Sequence, residues 1–132
     1  DLETLTRQTL PDLHTQTGYG PVSLARAICT YSTHARIRNA DAFAALAGTC
    51  PIPASSGKHQ RMRLNRGGDR RLNAATYTIA LTRMHHDAAT RDYVTRRRAE
   101  GKTDREIRRC LKNYIARNLY RALKRADLSQ TP

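Results

Sequence analysis

Two adjacent serines, Ser55 and Ser56, stand between a proline-stiffened segment, Pro51-Ile52-Pro53, and the cations Lys58, Arg61, Arg63, Arg66, Arg70 and Arg71. A serine hydroxyl has a high pKa, so as a nucleophile it needs a base or cationic surroundings that stabilise its alkoxide. Attack on a phosphodiester also needs positive groups on the non-bridging oxygens, where charge develops in the transition state. Serines beside Gly57 and these cations have that composition. Ser-Ser-Gly is also an ordinary turn, and on composition alone the turn is the stronger reading.

Other chemistry finds less support. His85-His86-Asp87 holds ligand types, but neighbouring helix positions point in different directions and no second cluster completes a site. A helix C-terminal cap, where histidine is favoured, is the better reading of these histidines. The acidic residues are scattered, so no metal site is assigned. No Gly-x-x-x-x-Gly-Lys loop is present. Cys29, Cys50 and Cys110 are odd in number and lack CxxC spacing, which fits a reducing interior better than a disulfide framework. Tyr114 and Tyr120 either stack on bases or pack half-buried with the hydroxyl in water.

The 132 residues carry 24 Lys+Arg and 11 Asp+Glu, a net charge of +13, divided unevenly. Residues 1–57 hold four of each sign, whereas residues 58–132 carry the entire excess. A basic half joined to a neutral half is the footprint of a polyanion-binding surface. Arginine outnumbers lysine there, favouring phosphate forks and base stacking. Nucleic acid is therefore the expected partner. An anionic membrane is the weaker one, because the basic helices lack an opposing Trp/Phe/Leu-rich face. No segment reads as a signal peptide or membrane span, so no membrane partner and a cytoplasmic location are expected.

Leu, Ile, Val and Phe total only 22 residues, a share at which disorder competes with folding. Against that, 18 alanines favour helix and the apolar residues recur at helical spacing. The expected fold is all-α: a small, thinly cored helical domain over 1–128, with a frayed tail at 129–132. Within it, residues 1–48 form a helix-hairpin-helix-like portion, 49–68 the Ser-Ser-Gly loop and a basic extended arm, and 69–128 the basic helices.

These elements position the candidate residues. Leu2, Leu5, Leu10 and Leu13 predict a first helix over 2–14. Gly18 and Gly20 make a tight turn into a second helix, about 21–31, with Pro21 at its first position. In a helix-hairpin-helix such a turn offers backbone amides to a phosphate, so Gly18 and Gly20 are candidate nucleic-acid contacts. Thr17 stands where such hairpins prefer an apolar residue, and a plain helical corner is the alternative. Asn39 caps a third helix that ends at Gly48. Asp69 starts a long helix to about His86, whose first turn brings Arg70, Arg71 and Asn73 towards one phosphate. A short helix follows from Thr90 to the cluster Arg96-Arg97-Arg98. Thr103 and Glu106 form a capping box for a last helix over about 104–126. Its packing stripe is Ile107, Cys110, Leu111, Tyr114, Ile115, Asn118 and Leu119.

The run Phe43-Ala-Ala-Leu-Ala-Gly-Thr-Cys-Pro-Ile-Pro-Ala-Ser-Ser-Gly57, then Arg61-Met-Arg-Leu-Asn-Arg-Gly-Gly-Asp-Arg70 and Leu72-Asn73, is similar to the C-terminal domain of DEDD-type insertion-sequence transposases. These are relatives of the Piv invertases, and some are guided by a bridge RNA. The resemblance extends to Gly18-Tyr-Gly-Pro-Val22 and to Glu100 through Lys112, covering about 15 to 125. It implies a nucleophilic serine at Ser55 or Ser56, with the register slightly favouring Ser56, and a phosphate-binding segment at Arg61, Arg63, Arg66 and Arg70. It further implies DNA and a guide RNA as partners and a homo-oligomer in the full-length form. Magnesium is expected only in a RuvC-like domain that these residues do not contain, so this chain reads as an excised domain without recombination activity of its own. The alternatives are a non-catalytic nucleic-acid-binding module, or an oligomerisation domain that buries the 104–126 stripe against a copy of itself.

Overall fold

The structure, a computed structural model, describes residues 1–34, 37, 39–49 and 68–130, with side chains as far as Leu128. The described residues are all-helical, and seven helices follow one another. These are α1 (Leu2–Thr9), α2 (Pro11–His14), α3 (Pro21–Thr33), α4 (Ala40–Leu46), α5 (Arg70–His86), α6 (Ala88–Ala99) and α7 (Asp104–Gln130). The predicted extended arm lies outside the described residues.

Local chemistry explains most boundaries. Asp1 caps α1 through Thr4 N–H and Asn39 caps α4 through Ala42 N–H. The Thr103–Glu106 capping box is reciprocal: Glu106 accepts from Thr103 N–H at 3.1 Å, and Thr103 Oγ1 accepts from Glu106 N–H at 3.2 Å. Gly48, just past α4, has φ +72, the left-handed conformation that glycine adopts without a Cβ clash.

Three expectations need correction. The single helix over 2–14 breaks at Leu10, because Pro11 has no N–H for the Arg7 carbonyl and disfavours helical geometry at the residue before it. Leu10 and Leu13 consequently turn inward, while Leu2 and Leu5 stay exposed. The short helix begins at Ala88 rather than Thr90, since Asp87 accepts from the Thr90 N–H and so stands at the N-cap. The last helix runs past 126 to Gln130, and at 1.5 Å per residue its 27 residues span about 40 Å.

α5 packs against α3, α6 and α7, α4 lies on α7, and α1 lies on α3. The core between them holds Leu24, Phe43, Leu72, Ile79, Ile107, Ile115 and Leu119, each fully buried. Burying one such side chain stabilises by about 1.5–3 kcal/mol. Tyr31, Phe43 and Tyr120 join α3, α4 and α7, with ring centroids 5.7 to 6.5 Å apart. Thr6, Thr30 and Thr76 are also fully buried, and each hydroxyl donates back to a carbonyl of its own helix. Small residues thus complete a core short of Leu, Ile and Val. Alanines and self-satisfied threonines let the helices approach closely.

Candidate nucleic-acid interface

Ser55, Ser56, Lys58, Arg61, Arg63 and Arg66 lie outside the described residues, but both flanks of their segment are defined. Thr49 is buried on the near side; its hydroxyl donates to the Ala44 carbonyl at 2.8 Å and accepts from Asn113 Nδ2 of α7 at 3.0 Å. On the far side the Asp69 N–H donates to the Leu46 carbonyl at 2.8 Å. Both flanks therefore hang on carbonyls of α4.

Asp69 does more than end that segment. Its Oδ1 accepts from the N–H groups of Arg71 and Leu72, at 2.8 and 3.2 Å, and caps α5. Its Oδ2 faces His34 Nε2 of the α3 C-cap at 3.1 Å and the Arg71 guanidinium at 3.3 Å. Burial works against the ionised carboxylate. The Arg71 side chain, the Leu72 amide, His34 and the Arg71 amide outweigh burial and hold the pKa down to about 2. The anion at the start of α5 is thus the protein's own Asp69 carboxylate. Arg71 is turned onto Asp69 and Thr33, and Asn73 Oδ1 accepts from Lys112 of α7, while Arg70 is exposed to solvent. The first turn of α5 does not present Arg70, Arg71 and Asn73 together to one phosphate.

The glycine turn has two different glycines. Gly18, at φ +91, lies against α5, where an added Cβ would come within 3.1 Å of the Ile79 carbonyl oxygen and of Arg83 Cγ. Gly20 is exposed, and an added Cβ there meets nothing within 4 Å. Arg83 secures the corner by donating from Nη1 to the Thr17 carbonyl at 2.8 Å. Its guanidinium also lies 5.6 Å from the ring centre of the buried Tyr19. Burial pushes the Tyr19 phenol up, and Arg83 acts in the opposite direction. Composition had not marked Arg83, Asn113 or His34 for these roles.

The cations of α6 and α7 divide into paired and outward-facing groups. Arg98 forks onto Asp104 at 2.8 and 3.3 Å, and Arg97 meets Glu100 at 2.7 Å. Arg96 and Arg97 also lie over the Tyr93 ring, at 5.5 and 5.9 Å from its centre, and Arg108 lies over Tyr77 at 5.9 Å. Arg91, Arg96, Arg105, Arg109, Arg121, Lys124 and Arg125 are exposed. Burial and the neighbouring Arg108 together lower the Lys112 pKa. Tyr120 is buried in the aromatic cluster, whereas Tyr114, expected in the packing stripe, is 57% exposed and lies off the buried face. α7 rotates so that Ala116, Ala122 and Leu123 face the core as well.

His85 and His86 end α5 on the surface, and Asp87 turns from them to cap α6. Hydrogen bonding from the Thr90 hydroxyl, stronger than the opposing effect of burial, holds the Asp87 carboxyl below its usual range. No three His, Cys, Asp or Glu residues stand together in a metal-binding group among the described residues. Nor, among them, is any helix long and apolar enough to cross a membrane.

A cationic helical surface, beside a serine-bearing segment whose flanks are both tied to α4, accords with what the chain is similar to. No solved structure matches it. Over 69 residues, 52% of this chain, it is 39% identical to the insertion element IS900 uncharacterized 42 kDa protein of Mycobacterium paratuberculosis. The match covers 17% of that protein's length. Residues 11–95, from α2 into α6 and across the serine segment, match a family profile, and on that match the chain belongs to the Transposase IS116/IS110/IS902 family.

Proposed function

We propose that this chain is a DNA-contacting C-terminal part of an insertion-sequence transposase and that Ser56, or Ser55 beside it, is the nucleophile of strand cleavage. Membership of the transposase family supports a role in transposition. The single observation that carries the finer reading is the double anchorage on α4. Thr49 reaches Ala44 and Asp69 reaches Leu46, so a serine segment rich in cations begins and ends at one rigid point. Catalytic and binding groups are commonly carried on connecting segments held by a rigid scaffold.

In the proposed step the serine oxygen bonds to phosphorus and the bond to the leaving deoxyribose oxygen breaks. The serine proton passes through solvent to the leaving oxygen. Lys58, Arg61, Arg63, Arg66 and Arg70 neutralise the developing charge on the non-bridging oxygens. Gly18 and Gly20 contribute backbone contacts elsewhere on the strand, and Arg71 orients the Asp69 cap. We assign the protein to the DEDD-type, Piv-related group, acting with a guide RNA and as a homo-oligomer. Its magnesium would be held by the acidic residues of a RuvC-like domain, as the resemblance to that group implies.

The test is the full-length transposase with guide RNA, magnesium and DNA, carrying Ser55→Ala, Ser56→Ala or both. Loss of the covalent protein–DNA adduct in the double variant is expected. An adduct that persists in it overturns the serine assignment and leaves a binding module.

A further inference from the structure

A second feature lies towards the C-terminal end of α5, whereas Asp69 of the α4 anchorage stands at its start. Between α5, α6 and α7 runs a cleft of about 340 Å³, floored by the buried Ala80, Leu111 and Ile115. Tyr93 and the exposed Tyr114 line it, and the Arg83–Asp87 pair, 3.4 Å apart, stands in its wall. Cations surround it: Arg96 and Arg97 lie over Tyr93, and Arg91 acts on Asp87. α6 itself carries four arginines and one aspartate.

Three properties narrow the occupant. The volume is at the small end of the range of about 300–1,000 Å³ for ligand pockets, too small for a helix or a duplex. An apolar floor beside an exposed phenol ring suits a flat aromatic group, while Asp87 and Arg83 offer an acceptor and donors to its edge. The cationic surround selects an occupant attached to an anionic backbone. An unpaired nucleotide meets all three.

We infer that this cleft receives one unpaired base of a DNA strand, stacked on Tyr114, with the flanking phosphates held by the exposed Arg91 and Arg96. Choosing DNA rests on the transposase reading above. Stacking on an aromatic side chain is sequence-tolerant, so the cleft would recognise an unpaired state rather than a base sequence.

The test uses the whole 132-residue chain. Its probes are a paired DNA duplex and the same duplex carrying a single bulged 2-aminopurine. The bulged duplex is expected to bind about ten-fold tighter, with its fluorescence quenched on binding. Tyr114→Ala removes the preference and the quenching and leaves paired-duplex affinity within about two-fold, as an exposed side chain allows. Ala89→Leu fills the cleft from an exposed position and has the same effect without altering Tyr114. Equal binding of both duplexes, a preference that survives both variants, or preference for a bulged RNA alone overturns the cleft assignment. Failure to bind either duplex overturns the DNA reading beneath it.

Discussion

The N–H of Asp69 donates to the carbonyl of Leu46 at 2.8 Å, closing the chain between α4 and α5 on itself. Thr49, bonded to Ala44 and Asn113, clamps the other flank. Thr49→Val keeps the shape but leaves Asn113 Nδ2 without its acceptor, and the Ala44 carbonyl keeps only its bond from the Ala47 N–H. An unfolding midpoint corresponding to a loss of about 1–3 kcal/mol is expected. Asn113→Ala should cost less, because the Thr49 hydroxyl keeps its bond to Ala44. Equal losses would mean that the α7 side of the clamp dominates.

Asp69 makes stability depend on acidity in a defined window. Its carboxyl titrates near 2 in the folded chain, below the ordinary value of 3.8, so the folded state favours the ionised form. The resulting stabilisation is present above about pH 4 and is lost as pH falls towards 2. The shift corresponds to about 2 kcal/mol for this largely buried side chain. Asp69→Asn should abolish that part of the acid dependence while retaining much of the cap. Denaturant unfolding at pH 6 and at pH 3 compares the two.

The glycine turn separates packing from binding. Gly18→Ala meets a positive φ as well as the Ile79 carbonyl at 3.1 Å, and should destabilise by about 1–3 kcal/mol. Gly20→Ala meets neither and should leave stability within about 0.5 kcal/mol. If Gly20→Ala weakens DNA binding without altering thermal unfolding, the corner contacts backbone phosphate; unchanged binding assigns it to packing alone.

Arg83 ties the same corner to α5, so Arg83→Met should loosen it while preserving much of the side-chain volume. Loss of the bonds to Thr17 and Asp87 is expected to cost about 1–2 kcal/mol. Hydrogen exchange should rise at Thr17–Gly20 more than in α7.

Salt dependence distinguishes the arginines. Each duplex phosphate contact adds about 0.9 to the slope of log K against log salt. Arg96→Ala, at an exposed site, should lower the slope by about that amount. Arg98→Ala should lower it less, since Arg98 is already engaged by Asp104.

Three helix starts were legible because capping is local. Asn39, Asp69 and Thr103 each act within three residues of the position they cap, and a sequence window contains the whole interaction. Arginine clustering likewise revealed the cationic half. Pro11 carried the signal that splits the first helix, but the leucine spacing masked it.

Sequence alone thus determined an all-helical chain with an uneven positive charge and a serine segment between α4 and α5. Only the tertiary structure decided that Tyr120 turns inward and Tyr114 outward, that Arg83 holds Thr17, and that His34 meets Asp69. Those outcomes depend on how helices cross and rotate against one another. They join groups 35 to 66 positions apart, as in the His34–Asp69, Thr49–Asn113 and Arg83–Thr17 contacts, where neither propensity nor periodicity specifies distance.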